Sequence, residues 1–251
     1  MRTRLLVIGG SGHVGSLILP YLAAHYALRV FDLKKPDSLP LSQEGQQTEW
    51  IPGDVRDFEA LKVASQDCEK LLYMAMGNHD GNTNPTAQFD VNVTGLYLAL
   101  RAAHAAGITH AALTSSMSVY EQLGQRFFWD EDTQPDAHHH YGLTKRLGEE
   151  VAHSAWRQWG ISVNALRLCL PVTAESWRAL AADGRQDIHT EAGDVARAIL
   201  AALENSFGGF QSFMISGDWQ QKRMNLRKAK AMLGWEPQMR DNKRDNKQEQ
   251  T

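Results

Sequence analysis

The chain has 251 residues, 43% hydrophobic and 22% charged, which suits one α/β domain, or one domain with a small appended lobe, and allows a full core. A formal net charge of -3 gives no electrostatic footing for nucleic acid or an anionic membrane, so small-molecule partners are favoured. Cys68 and Cys169 make no disulfide framework, no apolar stretch nears the roughly 20 residues of a membrane span, and Met1-Arg2-Thr3-Arg4 leads straight into a strand pattern; a cytoplasmic protein without a signal peptide is expected.

The first strand pattern, from Leu5, breaks into Gly9, Gly12 and Gly15 and opens a helical stretch over residues 13–26. This order presents backbone amides to a pyrophosphate. Gly9 permits the tight turn, the missing Cβ at Gly12 lets phosphates approach, and Gly15 lets helix and strand pack; the helix N-terminus adds free N–H groups and a partial positive charge. The glycine spacing alone also fits an ordinary βαβ turn. A second strand over residues 28–32 ends at Asp32, near the roughly 20-residue offset at which a carboxylate meets the adenosine ribose hydroxyls. That favours NAD over NADP, with Lys34 and Lys35 opposing the preference. Pro20 is expected to kink the first helix.

A polar loop over residues 34–47 leads to a strand at 48–51, then Gly53-Asp54-Val55 and a helix at 58–65. Residues 71–76 read as a fourth strand. Pro85 starts a long helical pattern through Ala103, stopped by Gly107, and a fifth strand follows at 110–114. Residues 141–159 form another helix, closed by Gly160, before a sixth strand at 161–168. Alternating strands and helices predict a doubly wound parallel sheet, a Rossmann arrangement, with its ligand crevice beyond the carboxyl ends of the strands. The expected division is a dinucleotide-binding domain over residues 1–168, a small substrate-binding lobe with returning sheet elements over 169–239, and a disordered tail over 240–251, where no residue is apolar.

The chemistry falls in that crevice. Thr114-Ser115-Ser116 stands where the fifth strand ends, and Tyr141 and Lys145, four residues apart, share one face of the next helix. An ammonium beside a phenol favours the phenolate and makes a general base near neutrality. A serine hydroxyl across the crevice would hold the substrate oxygen while Tyr141 moves its proton. Tyr and Lys at this spacing also occur as exposed surface pairs; the glycine loop and the Ser-Ser strand end favour the chemical reading.

With these motifs the chain resembles the extended short-chain dehydrogenase/reductases, in the NAD-dependent epimerase/dehydratase group, over roughly residues 4 to 238. The stretches that carry the resemblance are Gly9 to Gly15, Asp32, Gly53 to Val55, Met74 to Met76, Asn92 to Gly95, Thr114 to Tyr120, Tyr141 to Lys145, Leu166-Arg167, Asp194 to Ala196 and Leu233 to Pro237. The resemblance implies Ser116, Tyr141 and Lys145 as the catalytic trio and NAD as the cofactor. It implies a cofactor site of Gly9, Gly12, His13, Val14, Gly15, Asp32, Leu33, Asp54, Val55, Met74, Ala75, Met76, Asn92, Thr114, Tyr141, Lys145 and Cys169. Asp54 and Val55 would lie at the adenine, Asn92 would support the loop, and Cys169 would stand near the nicotinamide.

Nucleotide-sugar enzymes of this group usually follow the Leu-Arg pair with Asn and a Tyr-Gly-Pro segment. This chain has Leu168-Cys169-Leu170-Pro171 there and reaches Asp194 soon after. The shortened lobe resembles uronate dehydrogenases, in which an Arg occurs at a spacing like that of Arg178. Candidate substrate contacts are therefore Ser116, Ser118, Arg178 and His79, the last on a polar loop over residues 78–82; Arg178 on a solvated helix face is the plain alternative. The expected activity is hydride transfer at a hydroxyl or carbonyl of a carbohydrate, in particular a sugar acid. A nucleotide-sugar epimerase, dehydratase or reductase is the first alternative, with the nucleotide near residues 219–223, and a non-catalytic dinucleotide-binding regulator the second. No metal is expected: His138-His139-His140 are adjacent loop residues that cannot all face one ion. Trp156 and Trp159 read as core or subunit contacts, and whether the protein forms a homo-oligomer stays open.

Overall fold

Leu5 and Val7 face one side of the first strand and Leu6 and Ile8 the other, and all four are fully buried in the computed structural model. A strand buried on both faces belongs inside a parallel sheet covered by helices. The structure describes residues 2–41, 45, 47–77, 85–185 and 187–240, so His79 and the tail beyond Arg240 lie outside the described residues.

Seven strands form the main sheet: β1 (Arg4–Ile8), β2 (Ala27–Asp32), β3 (Glu49–Pro52), β4 (Lys70–Tyr73), β5 (His110–Ser116), β6 (Ser162–Leu168) and β9 (Phe210–Ile215). Their order is β3-β2-β1-β4-β5-β6-β9, with every neighbouring pair parallel. Helices α1 (His13–Ala23) and α7 (Ala192–Glu204) bury Ile18, Leu22, Val195 and Ile199 on one face of the sheet. On the other face, α2 (Phe58–Ser65), α4 (Leu96–Ala105) and α5 (His140–Trp159) bury Leu61, Leu100 and Ala152. The order reverses between β1 and β4, which opens a crevice at their carboxyl ends. After β6 come the short pair β7 (Pro171–Val172) and β8 (Thr190–Glu191), with α6 (Ala174–Ala182) between them, and α8 (Arg227–Leu233) follows β9.

Two elements depart from the sequence pattern, both at the crevice. The fourth strand ends at Tyr73, not Met76, because Gly9 presses so close that a Cβ there would stand 2.2 Å from the Ala75 nitrogen. The long helix from Pro85 is interrupted: α3 (Pro85–Phe89) widens into a π-helical turn over Asp90–Gly95 before α4 begins. The buried Tyr73 hydroxyl donates to the Val91 carbonyl at 2.6 Å inside that turn, and Gly95 leaves room for the Tyr73 hydroxyl and Val55. π-turns of this kind cluster at functional sites. Helix α1 carries Pro20 in its last turn. Trp159 packs its ring 5.5 Å from Tyr97 and stacks on His104, whereas Trp156 is exposed, so the two tryptophans serve different neighbours.

Among the described residues no helix is long and apolar enough to cross a membrane.

Candidate active site

The turn after β1 is built by three glycines with different needs. Gly9 adopts a φ of 86°, and a Cβ at Gly15 would stand 2.2 Å from the Gly10 oxygen, so packing alone demands glycine at both positions. Gly12 differs. The nearest atom to a Cβ there is the Gly9 oxygen at 3.5 Å, so protein packing does not require a glycine. Gly12 is the N-cap of α1, no side chain caps that end, no acidic residue stands in its first turn, and it lines a cavity of about 940 Å³. A bare helix N-terminus facing space that a side chain would narrow fits the pyrophosphate of a dinucleotide.

The cavity extends from this turn across the carboxyl ends of the strands. Gly9, Gly12, His13, Val14, Gly15, Asp32, Leu33, Asp54, Val55, Met74, Ala75 and Met76 line one part, and Thr114, Ser116, Ser118, Tyr141, Lys145 and Cys169 the other. His13 Nε2 lies 2.9 Å from the Pro171 carbonyl, joining the two walls. Asn92 is behind the wall: its side-chain oxygen accepts the Gly77 N–H at 3.1 Å and its amide donates to Thr144 Oγ1 at 2.8 Å, bracing the segment after β4 against α5. Asp54 is engaged by the Arg56 guanidinium, which holds its carboxyl below the usual range. Burial pushes the Cys169 thiol up to about 12, which leaves it a neutral wall group and no nucleophile.

At the end of β2, Asp32 Oδ2 accepts the Ser11 N–H at 2.9 Å and Oδ1 the Lys34 N–H at 3.3 Å, so the carboxylate is held on the cavity wall by backbone donors. A phosphate on the adenosine ribose would meet this negative charge, held in place by its backbone donors, while Lys34 stands exposed at the edge of the same wall and Lys35 off it. NAD is expected to bind about tenfold or more tightly than NADP. Fluorescence titration of both cofactors checks this, and equal or tighter NADP binding refutes it.

The polar end of the cavity depends on how α5 meets the end of β5. Ser116 caps a short 3-10 turn over Met117–Val119, its Oγ accepting the Ser118 N–H at 3.0 Å. Gly142 presses on that turn: a Cβ would stand 2.2 Å from the Ser118 oxygen. The close approach places Tyr141 and Ser116 on the same wall, where the Ser116 hydroxyl favours the ionised phenol. One helical turn on, Lys145 Nζ donates to the Thr114 carbonyl at 2.8 Å and stands 5.7 Å from the centre of the Tyr141 ring.

The expected lowering of the Tyr141 pKa by Lys145 is not what the crevice shows. Burial pushes the phenol above its ordinary value, against the Ser116 hydroxyl, and pushes Lys145 down to about 8, against the Glu149 carboxylate. The ammonium is committed to a backbone carbonyl, and desolvation outweighs its effect on the ring.

Beneath the trio lies a charged network that the sequence reading missed. Glu149 accepts from Ser115 Oγ at 2.6 Å and from Arg167 at 3.0 and 2.8 Å, and Arg167 also donates to the Tyr120 hydroxyl and, at 3.0 Å, to the Glu131 carbonyl. The Glu131 carboxylate in turn accepts the Met214 N–H at 2.9 Å. This ties β5, α5, β6 and β9 together directly under Ser116 and Lys145. Its sequence signals were Tyr120 and Arg167, within stretches that carry the family resemblance, and the four-residue spacing of Glu149 from Lys145.

Arg178 does not belong with these residues. Thr173 caps α6 through the Ser176 N–H, and this phase turns Trp177 inward and Arg178, the next position round the helix, out to solvent, away from the cavity wall. His139, in contrast, was set aside with its neighbours and lies on the wall. Among the described residues no group of three or more His, Cys, Asp or Glu could hold a metal ion.

Residues 5–190 match the NAD dependent epimerase/dehydratase family. An N-acetyl-alpha-D-glucosaminyl-diphospho-ditrans,octacis-undecaprenol 4-epimerase of Escherichia coli O157:H7 is 31% identical over 164 residues, covering 63% of this chain and 44% of that protein. The chain thus spans less than half the length of this relative. An L-arabinose 1-dehydrogenase (NAD(P)(+)) of Haloferax volcanii is 25% identical over 194 residues, 70% of each chain. Among solved structures, a mutated uronate dehydrogenase superposes with a TM-score of 0.80 at 22% identity, covering all of this chain and 87% of its own. The glycine turn, the cavity of about 940 Å³ beside it and the family match over residues 5–190 agree. The chain belongs to the NAD dependent epimerase/dehydratase family.

Proposed function

We propose that this enzyme transfers hydride at a hydroxyl or carbonyl of a free sugar or sugar acid. The observation that carries the reading is that Ser116 and Tyr141, with Lys145 one turn away, line the same cavity as the bare N-terminus of α1. When bound, NAD supplies the hydride acceptor for the oxidation. Tyr141 Oη takes the proton of the substrate hydroxyl. Ser116 Oγ, whose lone pair already accepts the Ser118 N–H, keeps its own proton to donate to the same oxygen. Before it can take the substrate proton the phenol must give up its own, which burial opposes and the Ser116 hydroxyl favours.

A small substrate is supported by the extent of the wall. Among the described residues none that lines the cavity lies beyond Pro171, so α6, α7 and α8 stand off its wall and offer no grip on a nucleotide there. Epimerisation needs such a handle while a ketone intermediate turns over. Two similar proteins are named for dehydrogenation of a sugar or of a uronate. With Arg178 turned to solvent, a sugar acid has no guanidinium partner from α6, and a neutral sugar fits the same hydroxyl pair.

A nucleotide-sugar epimerase or reductase is the second reading. Several curated relatives are named UDP-glucose 4-epimerase, and a separate hollow of about 300 Å³ is lined by Asp187, Ile188, Asp218, Lys222 and Arg223. A cofactor-reduction screen with D-galacturonate, D-glucuronate, L-arabinose and UDP-glucose separates the two. Turnover of a free sugar or uronate with indifference to UDP-glucose is expected; tight binding of UDP-glucose with no response to the free sugars overturns the proposal.

A further inference from the structure

We propose that His139 is a specificity-determining residue that donates its Nε2–H to an oxygen of the carbohydrate; this rests on the carbohydrate reading above. His139 is the N-cap of α5, and its Nδ1 accepts the Gly142 N–H at 3.1 Å. A ring nitrogen that accepts carries no proton, so in the neutral imidazole the proton sits on Nε2. The ring is exposed, it stands on the cavity wall, and Nε2–H is its remaining polar group.

Two comparisons within the chain separate this from a cap and nothing more. Serine, threonine, asparagine and aspartate are the preferred N-caps, so helix stability alone is better served by a shorter side chain than an imidazole. Of the three consecutive histidines, His139 alone lines the cavity. His138 is turned outward to Glu121, 3.2 Å away, and His140 is the first residue of α5, off the cavity wall. The cap also fixes where the donor stands. Since His139 is two residues before Tyr141 on the same helix start, a substrate oxygen bound by Nε2–H is placed relative to the hydroxyl held by Tyr141 and Ser116. A neutral N–H donor suits a sugar hydroxyl, a carbonyl or a carboxylate. It therefore selects for an oxygen at a second position of the substrate, apart from the reacting carbon.

The test uses the full chain saturated with NAD, in a Tyr141→Phe background that blocks turnover, with D-galacturonate, L-arabinose and UDP-glucose as probes in titration calorimetry. His139→Ser keeps a capping oxygen and removes the reach; it is expected to weaken the bound probe by roughly tenfold, with NAD affinity and Tm unchanged. His139→Ala removes cap and donor and is expected also to lower Tm by about 3 °C. His139→Asn, another capping side chain, replaces His139→Ser if that variant fails to fold. Equal probe affinity in His139→Ser overturns the proposal and leaves the carbohydrate reading standing, and so does an equal loss of NAD and probe affinity, which marks a purely structural role. If none of the three probes binds when His139 is intact, the carbohydrate reading falls and His139's role falls with it.

Discussion

Tyr141→Phe is expected to lower kcat on the true substrate by about two decades or more while NAD affinity stays within about twofold. The ring remains, so the packing at the start of α5 is kept, and what is lost is the one oxygen that can carry the substrate proton. The Ser116 hydroxyl is held in place independently by its bond to the Ser118 N–H. Steady-state rates alongside NAD titration check the split. Near-normal turnover in Tyr141→Phe removes the proposed mechanism, and a parallel fall in NAD affinity shows that the hydroxyl serves the cofactor instead.

Lys145→Met is expected to lose activity and cofactor affinity while gaining stability. Lys145 is buried, and its ammonium is pushed down to about 8 because desolvation outweighs the Glu149 charge. A cation with a lowered folded pKa costs the native state most when both states are charged. Between about pH 8 and the ordinary lysine value the unfolded chain binds more protons than the folded one. This group's contribution therefore makes the protein more stable as pH rises through that window. Methionine is of similar length and carries no charge, so Tm of Lys145→Met at neutral pH is expected to rise by about 3 °C, reduced by whatever the unpaired Thr114 carbonyl costs. The rise should shrink towards pH 10, where the lysine in the folded protein is neutral. Thermal melts across pH with wild type and variant decide it; a Tm that falls at neutral pH means that the bond to Thr114 and the Glu149 charge outweigh burial.

The opposite signs of those effects describe a site held against its own stability. Glu149 and Arg167 lie beneath the trio with both charges buried, the pair fastened to Ser115 and Tyr120. Such a pair is costly to break and keeps β5, α5 and β6 in one arrangement.

Sequence periodicity by itself determined the parallel sheet, the extents of most helices and strands, the glycine turn and the Tyr141–Lys145 face, because these rest on local spacing: one turn of helix, alternate faces of a strand, the absence of a side chain at a turn. What only the tertiary structure decided are the contacts between segments distant in the chain. The end of β4 at Tyr73 is set by the approach of Gly9, and the π-turn at Asp90–Gly95 by Tyr73 and Val55. The shift of Tyr141 depends on how deeply α5 is buried, which no pair spacing expresses. Arg178 and His139 changed places for the same reason. One stands at a suggestive spacing, yet the Thr173 cap turns it to solvent; the other lies in an unremarkable histidine run, yet the capping of α5 sets its ring on the cavity wall, where burial and helix phase, not residue type, fix what a side chain can reach.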